Sequence, residues 1–294
     1  MIFKGRDLPV FKAALHTHTT VSDGKFAPAE LLKMYAREGF DVFAYTDHKK
    51  TNPISSYANE GLTLISGIEL HPEGPHGTQW HLLALGVPED FPGEWESAQA
   101  AINSVNASGG VIFCAHPEWC GITSADIAEL TGLAGLEVYN RSCINCGKAD
   151  NETVWNELTD RGIYYPALAV DDTHSWSHFA FAWTMIAAAE RSVPALIDAL
   201  KNGYFYATQG PEFTRLEIVD GLFTAEFTEA EEAVLIGIGP SGHLEAAPDY
   251  PRHGNYKLVT KLVQPIEKTW LEGPFRCRIR DKHGHYAWSP VLTA

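Results

Sequence analysis

The stretch FKAALHTHTTVSDG, residues 11 to 24, changes within a few positions from an apolar strand pattern to a polar turn. His16 and His18 lie two positions apart, directly behind the apolar run. Because alternate residues of an extended segment point to the same side, both imidazoles could reach one ion. Such a pair also occurs by chance in ordinary loops, so alone it leaves two alternatives open, a polar loop and a metal site.

The same change from apolar to polar recurs at the ends of other segments with strand character. The polar residues are Asp47 and His48 after FDVFAYT, Glu69 in LISGIE, His116 after GVIFCA, Asp172 and His174 after YYPALAVD, and His81 at the start of HLLALG. In a parallel barrel the C-terminal strand ends meet on one face, so we expect these side chains to converge. Buried together without a metal they would leave many uncompensated polar groups, and the joint pattern therefore favours a metal site.

Apolar strands alternate with segments of helical periodicity through the first two thirds of the chain, as in FKAALH, PAELLKMYAREG and FDVFAYTD. About seven such units predict an α/β fold with a parallel sheet closed into a barrel. After about residue 212 the alternating strands, such as FTRLEIVDG and FRCRIRD, have no convincing helix between them. We therefore predict two domains, a barrel over residues 1–212 and a small antiparallel, sandwich-like β domain over residues 213–294.

The chain has 294 residues and 45% hydrophobic content, enough to bury a large core. It contains no apolar run of about 18 residues, and its start lacks the pattern of a secretory leader. Five cysteines in varied contexts argue against a disulfide framework and favour a reducing compartment. Cys143 and Cys146 have the spacing of zinc ligands, but no second such pair accompanies them. We expect a cytoplasmic protein without a membrane segment, although a leader trimmed from the chain would leave no trace.

The charge balance limits which kinds of molecule the protein is expected to bind. The formal net charge is −15, with 22 Lys and Arg against 37 Asp and Glu. Duplex nucleic acid is an unfavourable partner, because its binding needs many basic side chains. A small anionic substrate fits if bound metal supplies positive charge locally. The oligomeric state stays open.

Taken in order, the motifs LHTHTTVSDG, AYTDH, GIEL, HLLALG, CAHPEW and AVDDTH resemble the motif series of the PHP (polymerase and histidinol phosphatase) superfamily of metal-dependent phosphoesterases. The resemblance spans about residues 11 to 212. The segment ALIDALKNGYFYATQGP and the β-rich tail further resemble the CehA/McbA-like branch, whose members include ester or amide hydrolases. The resemblance implies a distorted (βα)7 barrel of PHP type that holds two or three divalent ions.

The resemblance also implies groups of ligands that share Glu69. One ion would be held by His16, His18, Glu69 and Asp172, a second by Asp23, His48 and His174, and a third by Glu69, His81 and His116. Some relatives carry His at the position of Asp23, and His71 or His76 could take the place of His81. Nitrogen and carboxylate ligands suit Zn, Mn or Fe without choosing among them.

Such a centre predicts hydrolysis by a metal-activated hydroxide, and the expected substrate is a small phosphorylated molecule such as a nucleotide or sugar phosphate. His178, which follows His174 by four positions, is a candidate general acid. Arg141, after LEVYN, is a candidate phosphate contact. A surface role is the alternative for both. Trp119 and Trp176, in loops expected at the active face, could stack a ring of the substrate or pack the loops together.

Two other functions stay open. The same centre would cleave a carboxylic ester, carbamate or amide, as the CehA/McbA-like resemblance suggests. A barrel without activity would instead act as a binding or scaffold protein. The tail adds a basic cluster, Arg276, Arg278, Arg280 and Lys282, for which we predict a solvated or interface-facing strand edge.

Overall fold

The structure is a computed structural model that describes residues 1–246, 258–266 and 274–293. Its strands are β1 (Ile2–Phe3), β2 (Arg6–Asp7), β3 (Val10–Ala14), β4 (Val42–Tyr45), β5 (Thr63–Leu70), β6 (Leu82–Leu85), β7 (Val111–Cys114), β8 (Gly135–Asn140), β9 (Ala167–Val170), β10 (Trp183–Ala187), β11 (Phe205–Thr208), β12 (Phe213–Val219), β13 (Leu222–Ala230), β14 (Glu232–Ile236), β15 (Gly242–Ala246), β16 (Val259–Pro265), β17 (Arg276–Arg280) and β18 (Tyr286–Trp288). The helices are α1 (Pro28–Arg37), α2 (Ala98–Ala107), α3 (Pro117–Cys120), α4 (Ser124–Ala128), α5 (Glu152–Asp160) and α6 (Val193–Lys201).

Sequence signals fix several helix starts. The side chain of Ser97 caps α2 by accepting a hydrogen bond from the backbone N–H of Ala100, and Ser192 caps α6 in the same way through Ala195. α1 begins at Pro28, whose missing N–H leaves no helical hydrogen bond unmade in the first turn. Within the described parts of the chain, no helix is long and apolar enough to cross a membrane.

Strands β3 to β9 lie side by side in chain order and carry the polar strand ends. β3, β4 and β5 are parallel, as are β7, β8 and β9, while β6 runs antiparallel to β5 and β7. The all-parallel arrangement predicted from the sequence is therefore wrong at β6. Antiparallel neighbours can be joined by a short turn, so the β5–β6 connection needs no crossover helix.

The predicted α/β class is confirmed, but closure into a (βα)7 barrel is not. Among the described strands β3 and β9 do not pair with each other, and an isolated bridge between Thr17 and Thr173 joins the segments that follow them. The β4–β5 and β5–β6 connections carry 3-10 turns at Ile54–Ser56 and Pro75–Gly77 in place of α-helices. Fewer helices cover this sheet than a regular alternation requires.

Antiparallel strands follow residue 212, as predicted, and four of them continue the preceding sheet. β18 pairs with β11, so β14, β15, β17 and β18 extend the large sheet. A second sheet has the order β16, β13, β12, β1, β2. Phe3, Leu216 and Phe223 of the second sheet share a buried cluster with Leu235 and Ile279 of the first, which makes this region a two-layer sandwich.

The domain boundary between residues 212 and 213 stays a prediction. Residues 247–257, 267–273 and 294 of the predicted tail domain lie outside the described residues, and they include the first two residues of the predicted strand YKLVTKLVQ. In the described part, the N-terminal strand β1 pairs in parallel with β12. The second sheet therefore combines the N-terminal strands β1 and β2 with β12, β13 and β16 of the predicted tail domain.

Three members of the predicted basic cluster, Arg276, Arg278 and Arg280, lie on β17, which we call the arginine strand, and Lys282 lies in the turn after it. Arg276 is 1% exposed and its guanidinium lies over the ring of Trp155 at 4.3 Å. Arg278 Nη1 lies 2.5 Å from Glu152 Oε2. Both partners belong to α5, and β17 pairs with β14 on one side and β18 on the other, so the predicted strand edge is wrong. The arginine strand attaches the tail to the helix that follows β8.

Candidate metal centre

The predicted ligands converge at one edge of the large sheet. His16 and His18 follow β3, His48 follows β4, Glu69 lies near the end of β5, His81 precedes β6, His116 follows β7, and Asp172 and His174 follow β9. Because β6 is antiparallel to its neighbours, its start lies at the same edge as their ends. Asp23 reaches this edge from the loop after His18.

Four buried atoms form the centre of the cluster: His16 Nε2, His18 Nε2, Glu69 Oε2 and Asp172 Oδ1. Each lacks a hydrogen-bond partner among the described residues. His16 Nε2 lies 3.4 Å from both acid oxygens. His18 Nε2 lies 3.4 Å from Glu69 Oε2 and 2.9 Å from Asp172 Oδ1.

This spacing suits a cation. Ligand atoms about 2.1 Å from an ion in tetrahedral geometry lie about 3.4 Å from one another. Buried polar atoms without partners are costly, and cations between the ring nitrogens and the carboxylate oxygens would satisfy them. The donor set of two imidazole nitrogens and two carboxylate oxygens therefore fits a divalent metal ion.

A second group surrounds the Asp23 carboxylate. Asp23 Oδ1 lies 3.4 Å from His48 Nε2 and 3.3 Å from His174 Nε2. His18 contributes a further ring nitrogen within reach of a shared ion. Asp23 keeps 58% of its side chain exposed, so this group is the more accessible one.

A third group uses the other oxygen of Glu69. Glu69 Oε1 lies 2.8 Å from His81 Nδ1 and 3.2 Å from His116 Nε2. His71 also reaches the cluster, with Nε2 2.9 Å from His48 Nδ1 and 3.5 Å from Glu69 Oε2. The two oxygens of Glu69 thus face different groups, as a bridging carboxylate requires.

His76, the other residue that could have replaced His81 as a ligand, lies away from the cluster. His76 is 75% exposed at its side chain and its Nε2 lies 3.8 Å from Asp126 Oδ1. Cys120, which the sequence analysis did not single out, places Sγ 3.5 Å from His116 Nδ1. It lies within reach of an ion shared with His81 and His116.

Glu137 and Asn140 support the cluster and were not predicted. Glu137 Oε1 lies 2.6 Å from His16 Nδ1, and its Oε2 accepts hydrogen bonds from the backbone N–H of His116 and from Asn140 Nδ2. Asn140 Nδ2 also donates to Asp172 Oδ2 at 3.2 Å. A proton on His16 Nδ1 leaves the lone pair of Nε2 directed at the centre. The signal in the sequence was a lone acid inside the apolar strand segment LEVYN.

Two further acids hold the loops. Asp47 accepts hydrogen bonds from the backbone and side chain of Thr19 and of Ser22, which shapes the loop that carries Asp23. Asp171 accepts three backbone N–H groups at residues 180–182, which fixes the segment after His174. Asp47 in the AYTDH motif and Asp171 in the AVDDTH motif therefore face supporting loops rather than the cluster.

Backbone geometry is unusual at the cluster. His116 has φ 24° and Asp172 has φ 50°, values in the region that residues with a Cβ rarely adopt. A Cβ added at Gly24 would lie 2.2 Å from the carbonyl oxygen of His18, so only glycine lets this loop approach the β3 end. Strain of this kind persists where the surrounding structure over-determines it, and it concentrates at functional sites.

The protonation equilibria of the four central residues are strongly shifted. Burial lowers the pKa of His16, but the carboxylates of Asp172, Glu137 and Glu69 outweigh it and raise that pKa well above its ordinary value. Burial lowers the pKa of His18 to about 4. Burial raises the pKa of Glu69 and of Asp172, but His16 and other histidines outweigh it and hold both values well below the usual range. At neutral pH both acids are carboxylates and His18 is neutral, the forms that bind metals, whereas the raised pKa of His16 means that a metal would have to displace a proton from this ring.

The two candidate catalytic residues lie on neighbouring loops. His178 is 8% exposed, and its Nδ1 accepts a hydrogen bond from the backbone N–H of His174 at 3.3 Å. Burial and the nearby His174 lower its pKa. Arg141 Nε donates to the carbonyl oxygen of Ser177 at 3.2 Å, and its guanidinium lies 3.7 Å from the ring centre of Phe181. Arg141 therefore contacts the loop that carries His178.

A cavity of about 190 Å³ opens over the cluster. Its lining includes Asp23, His48, His116, Trp119, Asp172 and His174, and among the described residues no lysine or arginine lines it. Trp119 is 47% exposed. Trp176 is 65% exposed, stands edge-on to Phe26 and is not part of this lining.

Parts of this chain are similar in sequence to known proteins. No protein-family model matches it. A phosphoribosyl 1,2-cyclic phosphate 1,2-diphosphodiesterase of Eggerthella lenta is 33% identical over 84 residues, which are 26% of this chain and 32% of that enzyme. An uncharacterized protein of Methanocaldococcus jannaschii is 28% identical over 148 residues, 44% of this chain and 81% of that protein.

A solved structure shares the whole fold. It is a two-domain protein of Bacteroides vulgatus that contains a predicted PHP-like metal-dependent phosphoesterase, and it matches with a TM-score of 0.53 at 15% identity over 99% of this chain and 98% of that one. The likeness in structure concerns the fold, and the likeness in sequence covers about a third of the Eggerthella enzyme. The more specific CehA/McbA-like assignment stays a prediction. The fold shared with the Bacteroides protein and the partial sequence likeness to the Eggerthella enzyme agree with the predicted resemblance to the PHP superfamily.

Proposed function

We propose that the protein is a metal-dependent phosphoesterase that hydrolyses a small phosphorylated molecule, such as a nucleotide or a sugar phosphate. One observation carries the proposal: four buried atoms have no hydrogen-bond partners among the described residues, and each of the two ring nitrogens lies 2.9 to 3.4 Å from both carboxylate oxygens. The Eggerthella relative, a phosphodiesterase, supports the reaction class.

The proposed ligand sets follow the three groups. His16, His18, Glu69 and Asp172 would hold one ion, Asp23, His48 and His174 a second, and Glu69, His81 and His116 a third. His71 is an alternative ligand near Glu69. Zn, Mn and Fe all suit such ligands.

The ions, when bound, would supply a water that ionises near neutral pH and Lewis acidity for the phosphoryl oxygens. Glu137 would hold the ring of His16 and fix its tautomer. His178, as the proposed general acid, would donate a proton to the leaving oxygen. Arg141, as the proposed phosphate contact, would have to leave its stack on Phe181.

A second candidate function is hydrolysis of a carboxylic ester, carbamate or amide. The lining of the 190 Å³ cavity favours it, because a neutral substrate needs no basic side chain and none lines this cavity in the described part of the chain. In a phosphoesterase the ions alone would have to balance the phosphate charge.

The test is an assay of the purified protein with Mn, Zn or Fe(II) against phosphomonoesters, phosphodiesters and aryl carboxylic esters. We expect phosphate release from at least one phosphoester. Turnover of esters alone would overturn the phosphoesterase proposal and support the second candidate. Less than one equivalent of bound metal, together with no turnover of any substrate, would favour a scaffold.

The role of His178 has a separate test. If it protonates the leaving group, His178→Gln should lower kcat about 10²-fold for an alkyl phosphate. The loss should be much smaller for 4-nitrophenyl phosphate, whose leaving group needs no proton. Equal losses for both substrates would assign His178 a structural role.

A further inference from the structure

A second cavity, of about 590 Å³, adjoins the candidate metal centre. Its lining includes Glu73, Thr78, Gln79, His81, Trp119 and Cys120, and we call it the side groove. His81 and Trp119 also line the 190 Å³ cavity over the cluster. The two spaces therefore meet at these two side chains.

The side groove has structured walls. One wall is the β5–β6 turn, in which Glu73 and Gln79 form an antiparallel bridge and the backbone N–H of Gly74 donates to the carbonyl of Thr78 at 2.9 Å. The tip of this turn is tied to α4 through His76 and Asp126, 3.8 Å apart. The opposite wall is α3. Because Glu69 and His81 lie at the two ends of the turn, this wall is fixed to the cluster.

The size of the side groove fits the larger part of a substrate. Small-molecule sites have volumes of about 300 to 1,000 Å³. The cavity over the cluster, about 190 Å³, is below that range and suits a phosphoryl group with its water. The side groove, about 590 Å³, is within it.

Trp119 gives the side groove a stacking surface. Its indole stands edge-on to His81 and to His116, with ring centres 5.2 Å apart in each pair. These contacts hold the indole in place, while 47% of the residue stays exposed. Aromatic side chains held in this way stack flat rings, and base stacking on them tolerates any base.

The polar groups of the side groove are acceptors and neutral donors. Glu73 supplies a carboxylate and Gln79 an amide, both on exposed residues. No lysine or arginine lines the side groove within the described ranges. A hydroxyl can donate to Glu73, whereas a second phosphate would meet a negative charge with no cation to offset it.

We propose that the side groove binds the leaving alcohol of the substrate, and that this alcohol is an uncharged, hydroxyl-bearing ring compound of the nucleoside class without a second phosphate. The inference rests on the proposed phosphoesterase function. In the reaction, an oxygen of water bonds to phosphorus and the P–O bond to the alcohol breaks. Inorganic phosphate forms, and the leaving oxygen takes up a proton.

The first experiment measures binding without catalysis. Adenosine is titrated into the full chain by calorimetry, with and without divalent metal. We expect binding in both conditions, weakened about tenfold in Trp119→Ala and preserved in part in Trp119→Phe. Trp176→Ala is the matched control, since this exposed tryptophan lies outside the lining of both cavities, and it should bind adenosine as the parent does.

The second experiment measures selectivity. AMP and adenosine 3′,5′-bisphosphate differ by one phosphate on the leaving alcohol, and kcat/KM should be about tenfold higher for AMP. Glu73→Lys should narrow this ratio several-fold. Glu94→Lys, at a carboxylate that is 78% exposed and outside the side groove, should leave it unchanged.

The outcomes separate the two proposals. Adenosine binding that depends on Trp119, without cleavage of any phosphoester, would overturn the phosphoesterase function and leave the side groove as a nucleoside site. Phosphoester cleavage with no adenosine binding and equal kcat/KM for the two nucleotides would overturn the side groove alone. Equal weakening of adenosine binding by Trp119→Ala and Trp176→Ala would also overturn it.

Discussion

The candidate metal centre and the arginine strand both bury charged side chains, and they differ in which atoms lack a partner. At the metal centre the atoms without hydrogen bonds are ring nitrogens and carboxylate oxygens that face one another, His16 Nε2, His18 Nε2, Glu69 Oε2 and Asp172 Oδ1. At the arginine strand they are the Nε atoms of Arg276 and Arg278, whose guanidinium groups contact Trp155 and Glu152 through other atoms.

The difference separates a site from a structural contact. Unprotonated ring nitrogens and carboxylate oxygens that face one another all offer lone pairs, and a cation between them accepts those lone pairs. A guanidinium over an aromatic ring or beside a carboxylate already has its partner within the chain. Burial of charge alone therefore does not identify a candidate functional site. The useful signal is whether the buried atoms without hydrogen-bond partners converge and carry lone pairs.

The largest expected effect comes from Asp172→Asn. The substitution removes one of the converging charges, and we expect kcat/KM toward a cleaved phosphoester to fall on the order of 10³-fold, about 4 kcal/mol of transition-state stabilisation. Metal analysis should show less bound ion. Asp90→Asn, at an exposed acid, is the control. Unchanged metal content and activity in Asp172→Asn would show that the converging atoms do not form a metal site.

The opposite behaviour is expected at the arginine strand. Arg276→Ala removes a buried guanidinium from the ring of Trp155 and should lower the free energy of unfolding by about 3 kcal/mol. Urea denaturation measures this change, with the exposed Arg161→Ala as the control. Metal content of the folded Arg276→Ala protein should match that of the parent. A folded variant that lost its metal would mean that the tail takes part in the centre.

Removal of metal should lower the stability of the fold through the candidate metal centre and not through the arginine strand. Ion restored to the chelated protein at about 100 times its Kd should stabilise the fold by about 2.7 kcal/mol. Thermal unfolding followed by circular dichroism measures the shift. We expect the same response in Arg276→Ala and little response in Asp172→Asn. A full response in Asp172→Asn would exclude this carboxylate as a ligand.

The smallest expected effect comes from Glu137→Gln. This change keeps the shape of the side chain but removes the charge beside His16 Nδ1, and we expect metal affinity to fall about tenfold with the fold intact. Competition with a fluorescent chelator measures the affinity. Glu157→Gln, at a carboxylate that bonds Ser124 away from the cluster, provides a matched control. Equal affinities for Glu137→Gln and the parent would assign Glu137 to packing alone.

Much of the fold and of the candidate site could be predicted locally. The strands that lead to His16 and His48, and the strand that contains Glu69, could be predicted from short apolar runs. The direction of each strand in the sheet could not be predicted, because an apolar run has the same pattern in a parallel and in an antiparallel strand. His81 therefore looked misplaced at the start of its segment, although the antiparallel course of β6 brings it to the common edge.

The sequence by itself determined which residue types stand at the strand ends, and it determined the same-side pairs His16 with His18 and Asp172 with His174, because these depend on neighbours along the chain. Only the tertiary structure decided that Glu137 supports His16 and that Arg276 stacks on Trp155. Those contacts join segments that are distant in the sequence. They depend on strand order, strand direction and burial, which local spacing does not encode.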